Sequence, residues 1–157
     1  MGIRYYAYPI TADQYPLARE NPCAFHGVDP LMDAWGPKDE KPEMLYLDKC
    51  WRELQTLLGP SSGRPNRPAQ QLVDGRVTDT GTGWIPYELA LSPTQVAAIA
   101  ADLKTVNEAD VRRALPEFGS HHPEDEEFEY VTQYLAEAQR FTAALADSGR
   151  GLVYMIG

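Results

Sequence analysis

Cysteine is scarce in this chain, basic side chains are outnumbered, and no apolar run is long. Each shortage closes a class of function. The two cysteines, Cys23 and Cys50, lie far apart and form no Cys-x-x-Cys, so neither a zinc cluster nor a disulfide framework is expected. Both read as free thiols in a reducing compartment, with Cys50 a small group on a helix. No segment approaches the roughly 18 uninterrupted apolar residues that mark a membrane span. The opening residues lack the charged start and apolar run of a signal peptide. They begin like a myristoylation signal, but Tyr6 stands where Ser or Thr is wanted. The expected location is the cytoplasm.

Lysine and arginine total 14 against 23 aspartates and glutamates, a formal net charge of −9. Phosphate backbones are bound through clustered Lys and Arg that release counterions. The acidic excess opposes that, so nucleic acid and anionic membrane are disfavoured as partners. A basic protein or a cationic small molecule is electrostatically permitted, although such a charge also simply maintains solubility.

At 157 residues the chain fits one domain, residues 1–157, and folds without a disulfide or metal on its core alone. The alternation of Ile3, Tyr5 and Ala7 against Arg4, Tyr6 and Tyr8 predicts a strand that Pro9 ends. Thr11 is a possible N-cap for a short helix limited by Pro16. Residues 21–43 are rich in Pro, Gly and Asp and predict mostly loop, with one helical turn at Pro-Leu-Met-Asp-Ala-Trp. Glu43 to Leu47 is either a short strand or the approach to a helix starting near Asp48. A breaker-rich loop follows from Gly59 to Pro68, whose Pro65-x-x-Pro68 matches a short proline pattern that chance produces often. Pro68 to Val77 holds a helical turn and then a turn at Asp74-Gly75. Trp84 to Leu91 reads as extended. It feeds a helix with Ser92 as N-cap and Pro93 at the first helical position. A second helix runs from Asn107 through Leu115. A long one starts near Pro123, carries Phe128, Val131, Leu135, Ala138, Phe141 and Leu145 on one face, and stops at Gly149. Leu152 to Ile156 is a buried strand. Helices outweigh strands, yet the chain opens and closes on a strand. The expected fold is an α/β domain, a small mixed sheet with helices on both faces, with α+β as the alternative.

Motifs that could carry chemistry have plain structural readings. His121-His122-Pro-Glu-Asp-Glu-Glu gathers two histidines and four carboxylates. Adjacent histidines on a regular element diverge, and acidic residues after a proline suit a helix start. No metal is expected there. Asp79-Thr80-Gly81 resembles an aspartic-protease loop without the second aspartate such chemistry needs, so it reads as a turn. Gly81-Thr-Gly83-Trp is no phosphate loop, because Pro86 occupies the place of the third glycine. Cys23, His26 and Asp29 lie in one loop, and their closeness in sequence is no sign of a catalytic set. No cofactor is implied.

The stretch Met44 to Gly59 holds the strongest hint of a site. On a helical projection Leu47, Leu54 and Leu58 form a stripe with Trp51 at its margin, followed by Gln55, Asp48 and Arg52. One reading makes this boundary the lip of a cleft, an apolar wall with a few orienting polar groups. The other makes Asp48 an N-cap paired with Arg52 at i, i+4, and Trp51 a core residue.

Leu47-Asp-Lys-Cys-Trp-Arg-Glu-Leu-Gln-Thr-Leu-Leu-Gly59, behind an opening Gly-Ile-Arg-Tyr-Tyr, resembles the signature of the YfbM-like family, bacterial domains of unknown function. Trp84 to Leu103 is similar to the family's extended segment and Ser/Thr-Pro-started helix, and Ala138 to Gly157 resembles its closing helix and strand. The resemblance implies a YfbM-type α/β sandwich and no assigned activity. Many members carry a histidine where this chain has Gln55, and an amide cannot titrate near neutrality. That difference favours binding over proton transfer.

The leading expectation is a non-catalytic domain binding a small molecule or a protein at a cleft edged by Asp48, Lys49, Trp51 and Gln55, with Trp84 and Tyr87 opposite. An acidic protein that neutralises a basic partner is the second, and a hydrolase without a readable motif the third. If Trp51 and Gln55 serve a ligand, Trp51→Phe combined with Gln55→Ala leaves the melting temperature nearly unchanged. A drop of several degrees for either single change marks them as core.

Overall fold

The computed structural model of the chain describes residues 2–60 and 65–157. Strands β1 (Tyr5–Ile10), β2 (Leu45–Asp48), β5 (Tyr87–Leu91) and β6 (Gly151–Ile156) form a sheet in the order β2-β1-β6-β5. Strands β3 (Thr78–Asp79) and β4 (Trp84–Ile85) make a separate hairpin. The helices are α1 (Tyr15–Glu20), α2 (Pro30–Trp35), α3 (Trp51–Leu58), α4 (Pro93–Leu103), α5 (Glu108–Ala114) and α6 (Glu124–Asp147).

Alternation along β1 sorts its side chains between two cores. Tyr5 and Ala7 join Leu45, Leu47, Leu152, Tyr154 and Ile156 under α3, α4, α5 and α6. Tyr6, Tyr8 and Ile10 face the other way, with Ala90 and Val153, against Ala18 of α1 and Leu31 and Ala34 of α2. The expected α/β sandwich is therefore what forms. Each of the sheet's three pairings is antiparallel, where a mixed sheet was expected. A parallel neighbour requires a crossover returning the chain to the same end of the sheet, and none of the connections between paired strands does so.

Two boundaries differ from expectation. Pro9 does not end β1, which continues to Ile10 and pairs Pro9 with Leu152 of β6. On its other side β1 meets β2 only as far as Ala7. Pro9 therefore sits where that side has become an edge, the place a sheet tolerates proline. Asp48 is not a helix N-cap. It closes β2 with φ 49°, a conformation that Asp tolerates better than most side chains, and Cys50 occupies the cap position of α3. The ambiguous stretch before it is a strand.

Other local signals carried through. Ser92 Oγ accepts from Gln95 N (3.1 Å) while the Gln95 side chain accepts from Ser92 N (2.8 Å), a reciprocal cap with Pro93 behind it. Asn107 and Asp110 repeat the arrangement for α5. Thr11 and Gln14 cap the turn ahead of α1 rather than the helix itself. α2 is the single helical turn expected within residues 21–43. Gly149 takes φ 64° after α6. Asp79-Thr80-Gly81 is the hairpin turn, with Gly81 N donating to Asp79 Oδ1 at 2.7 Å. Of the breaker-rich loop, residues 61–64 lie outside the described residues, and Pro68 opens a 3₁₀ turn, Pro68–Leu72. Among the described residues, no helix is long and apolar enough to cross a membrane.

One polar clamp fastens that turn to α4. Arg67 donates twice to Asp102 (both 2.8 Å), and Asp102 also accepts from Ala69 N at 2.9 Å. The Arg67 hydrogen bond holds the Asp102 carboxyl below its usual range, aided by the Ala69 amide and opposed by burial. A carboxylate depressed in the folded state stabilises above its unfolded pKa, and the benefit is lost as pH falls through the folded value. Asp102→Asn is expected to cost about 1.5–3 kcal/mol at neutral pH, measured by urea unfolding. Below about pH 3.9, the ordinary aspartate range, the difference from the parent protein should shrink.

Candidate functional site

The polar face of α3 builds a groove. Lys49 just ahead of the helix, Arg52, Glu53 and Thr56 follow i, i+3, i+4, i+7 spacing and so share one side, opposite the buried Leu54 and Leu58. The facing wall is the loop Phe118–His122 and the first turns of α6, contributing Glu126, Glu127 and Tyr130. The groove between them holds about 590 Å³.

Two of its lining residues are the acids Glu53 and Glu127. Glu127 is 6% exposed. Its Oε2 accepts from the Ser120 hydroxyl at 3.0 Å, and Ser120 Oγ in turn accepts from His122 N at 3.0 Å. Glu127 Oε1 and Glu53 Oε2 are closed to solvent and, among the described residues, have no hydrogen-bond partner. Burial pushes the Glu53 carboxyl up, and the like charge of Glu127 acts in the same direction. Burial likewise raises the Cys50 thiol, with the charges of Glu53, Glu127 and Asp48 adding to the effect. Cys50 is thus held as a thiol, not as the thiolate that nucleophilic chemistry needs. Lys49 and Arg52 bring positive charge. Arg52 lies over the Trp51 ring at 5.2 Å, and among the described residues neither cation pairs with a carboxylate. His121 and His122 also line the groove, yet among the described residues no three His, Cys, Asp or Glu side chains are grouped to hold a metal.

Of the six residues expected to edge one cleft, Lys49 lines this groove and the others are placed elsewhere. Asp48 Oδ1 accepts from Arg4 Nε (3.1 Å) and from the Tyr46 hydroxyl (3.0 Å), so the expected pairing with Arg52 gives way to one across β1 and β2. Trp51 is 6% exposed and its indole N–H donates to the Ile3 carbonyl at 3.2 Å. Gln55 Nε2 donates to the carbonyls of Val73 (2.5 Å) and Gly75 (2.7 Å), tying the loop after the 3₁₀ turn to α3. It also borders a separate polar hollow of about 420 Å³ with Asp74, Arg76 and Glu117. Tyr87 packs on the same glycine: a Cβ at Gly75 would stand 2.1 Å from its ring. Its other neighbour is Tyr154, with ring centroids 5.9 Å apart. Trp84 is 43% exposed on the hairpin. Gln55 and Tyr87 do meet, but around Gly75 rather than across the groove.

Cys23, His26 and Asp29 do not converge. Cys23 Sγ bonds Asn21, Asp29 caps α2 through Met32 N, and His26 stacks on Tyr8 with centroids 5.9 Å apart. Burial pushes the His26 imidazole down to about 4, so it is neutral at physiological pH.

Glu53, Thr56, Phe118, Ser120, Glu127 and Tyr130 were not among the expected site residues. The signal for the first two was the polar stripe of α3 itself. For Glu127 it was the acidic run after the histidines, read as a helix start, and Ser120 carried no signal.

A family model, Domain of unknown function (DUF1877), matches residues 1–155. The chain belongs to this family. Among solved structures, the DUF1877 chain is similar to YfbM from Escherichia coli, itself described as a protein of unknown function. That match covers 99% of this chain and 100% of that one, at 18% identity and a TM-score of 0.57. It carries the fold and no activity. No curated protein matches.

The bonding of Trp51 and Gln55 favours the core outcome. Trp51→Phe strands the Ile3 carbonyl, and Gln55→Ala strands two. With buried unpaired groups costing about 1–3 kcal/mol each, either single change should lower the melting temperature by several degrees in a calorimetric scan.

Proposed function

We propose that this protein is a non-catalytic binding domain that holds a small molecule in the groove between α3 and the start of α6. One observation carries the reading: beside Phe118 and Tyr130 the hollow is lined by Lys49 and Arg52, which pair with no carboxylate among the described residues, and by Glu53 and Glu127, each with a buried oxygen that has no partner among them. Its volume falls within the roughly 300–1,000 Å³ usual for small-molecule sites. Binding is favoured over catalysis because burial holds the nearby Cys50 thiol protonated. Lys49 keeps the role of attracting an acidic group.

A second reading concerns the outer surface. Glu124, Asp125, Glu126 and Glu129 are exposed on the first turns of α6 and, among the described residues, form no ion pair. That surface suits a basic partner protein, whose association would weaken steeply with salt.

A thermal-shift screen against a metabolite library tests the first reading, with Thr56→Trp, which fills the groove, as control. A ligand at about 100 times its dissociation constant stabilises by about 2.7 kcal/mol, which at this size is a rise of several degrees. Hits should raise the melting temperature of the parent protein and leave Thr56→Trp unmoved. Hits that shift both equally, or a screen with none, would remove the groove as the site.

A further inference from the structure

We infer that the groove takes a small zwitterion of amino-acid or short-peptide size, with its ammonium end on the Glu53–Glu127 floor and its acidic end against Lys49 and Arg52. This rests on the small-molecule reading above and names the ligand class.

The argument starts from Glu127. A carboxylate nine-tenths buried is ordinarily matched by a cation or by several donors. Here Ser120 supplies one donor, to Oε2, and Oε1 receives none from the described residues. Glu53, which also lines the groove, has a second closed oxygen without a partner among the described residues. Two carboxyls lining one groove repel each other when both are charged, and an ammonium relieves that repulsion while bringing three donors. The incoming group reaches the floor by displacing the Ser120 hydroxyl from Glu127, a rotation about one side-chain bond. Phe118 and Tyr130 line the same groove, and aromatic rings suit an organic cation.

The opposite sign is equally available. Lys49 and Arg52 line the groove without carboxylate partners among the described residues. A purely cationic ligand would satisfy the floor and be repelled by this pair. A purely anionic one would do the reverse. A molecule carrying both charges engages both, and dipolar complementarity of this kind discriminates against single-charge competitors.

Titration of the ¹⁵N-labelled protein by NMR with 6-aminohexanoate, hexylamine and hexanoate tests this, because the three share a chain and differ in their ends. The zwitterion should shift amides of α3 and of the Phe118–Tyr130 segment saturably, and bind about tenfold more tightly than either single-ended probe. Glu127→Gln, nearly isosteric, should weaken the two amine probes and bind hexanoate at least as tightly. Glu53→Gln gives a second test if that variant melts early. Lys49→Ala with Arg52→Ala should weaken the two acids and, by removing repulsion, bind hexylamine at least as tightly. Equal affinity for all three probes, a preference for hexanoate, or amine binding unaffected by both glutamine variants would overturn the inference. If no probe binds while a library compound occupies the groove, the zwitterion falls and the small-molecule reading stands. If probes and library fail alike, both fall.

Discussion

The fold depends on the pairing of β1 with β6. Six residue pairs run from Tyr5↔Ile156 to Ile10↔Gly151, and the ladder extends past the strands, where Arg4 and Gly157 exchange backbone hydrogen bonds of 3.0 and 2.9 Å. These two strands are the middle of the sheet, so both cores are built on them. The alternation of Tyr5 and Ala7 against Tyr6, Tyr8 and Ile10 decides which helices lie on which side. A slip of one residue would exchange the faces. Because the partners are separated by almost the whole chain, closing this ladder carries a large loop-closure cost. Local caps on α4 and α5 lower the cost of ordering what lies between.

Around that frame α3 divides three tasks by angle. Leu54, Leu57 and Leu58 point into the larger core. Trp51 and Gln55, at the margin, satisfy backbone carbonyls that would otherwise be stranded, on one side from the chain start and on the other from the loop before the hairpin. The remaining polar face is left to the groove. A single short helix thus serves as wedge, strut and wall, and substitutions along it should separate accordingly.

Much of the architecture was legible in the sequence, for physical reasons that differ by element. Ser92-Pro93 and Asn107 announce helix starts through hydrogen bonds made within four residues, and the apolar face of α6 depends on helical period alone. Such information is local. Pro9 and Asp48 were misread because their conformations are set by a partner strand: where β2 stops pairing, and where Arg4 reaches across. The site was harder still. Lys49 was found because it lies beside a leucine stripe, whereas Glu53 and Glu127 come from segments some seventy residues apart and meet only in three dimensions. A boundary between apolar and polar surface marks equally well a cleft or a residue that plugs a seam, and Trp51 and Gln55 bond as the latter. The YfbM-like resemblance supplied the sandwich correctly, and the family adds no activity to it.

Gly75 closes the account of α3's far side. Its carbonyl takes the Gln55 amide and its bare α-carbon lies against the Tyr87 ring, leaving no room for even a methyl group. Mutational drift at this position is therefore blocked from two directions at once. Any replacement must either evict an aromatic ring from the edge of the core or move the acceptor that Gln55 holds. A lineage that changed Gly75 would have to change Tyr87 or Gln55 in company with it.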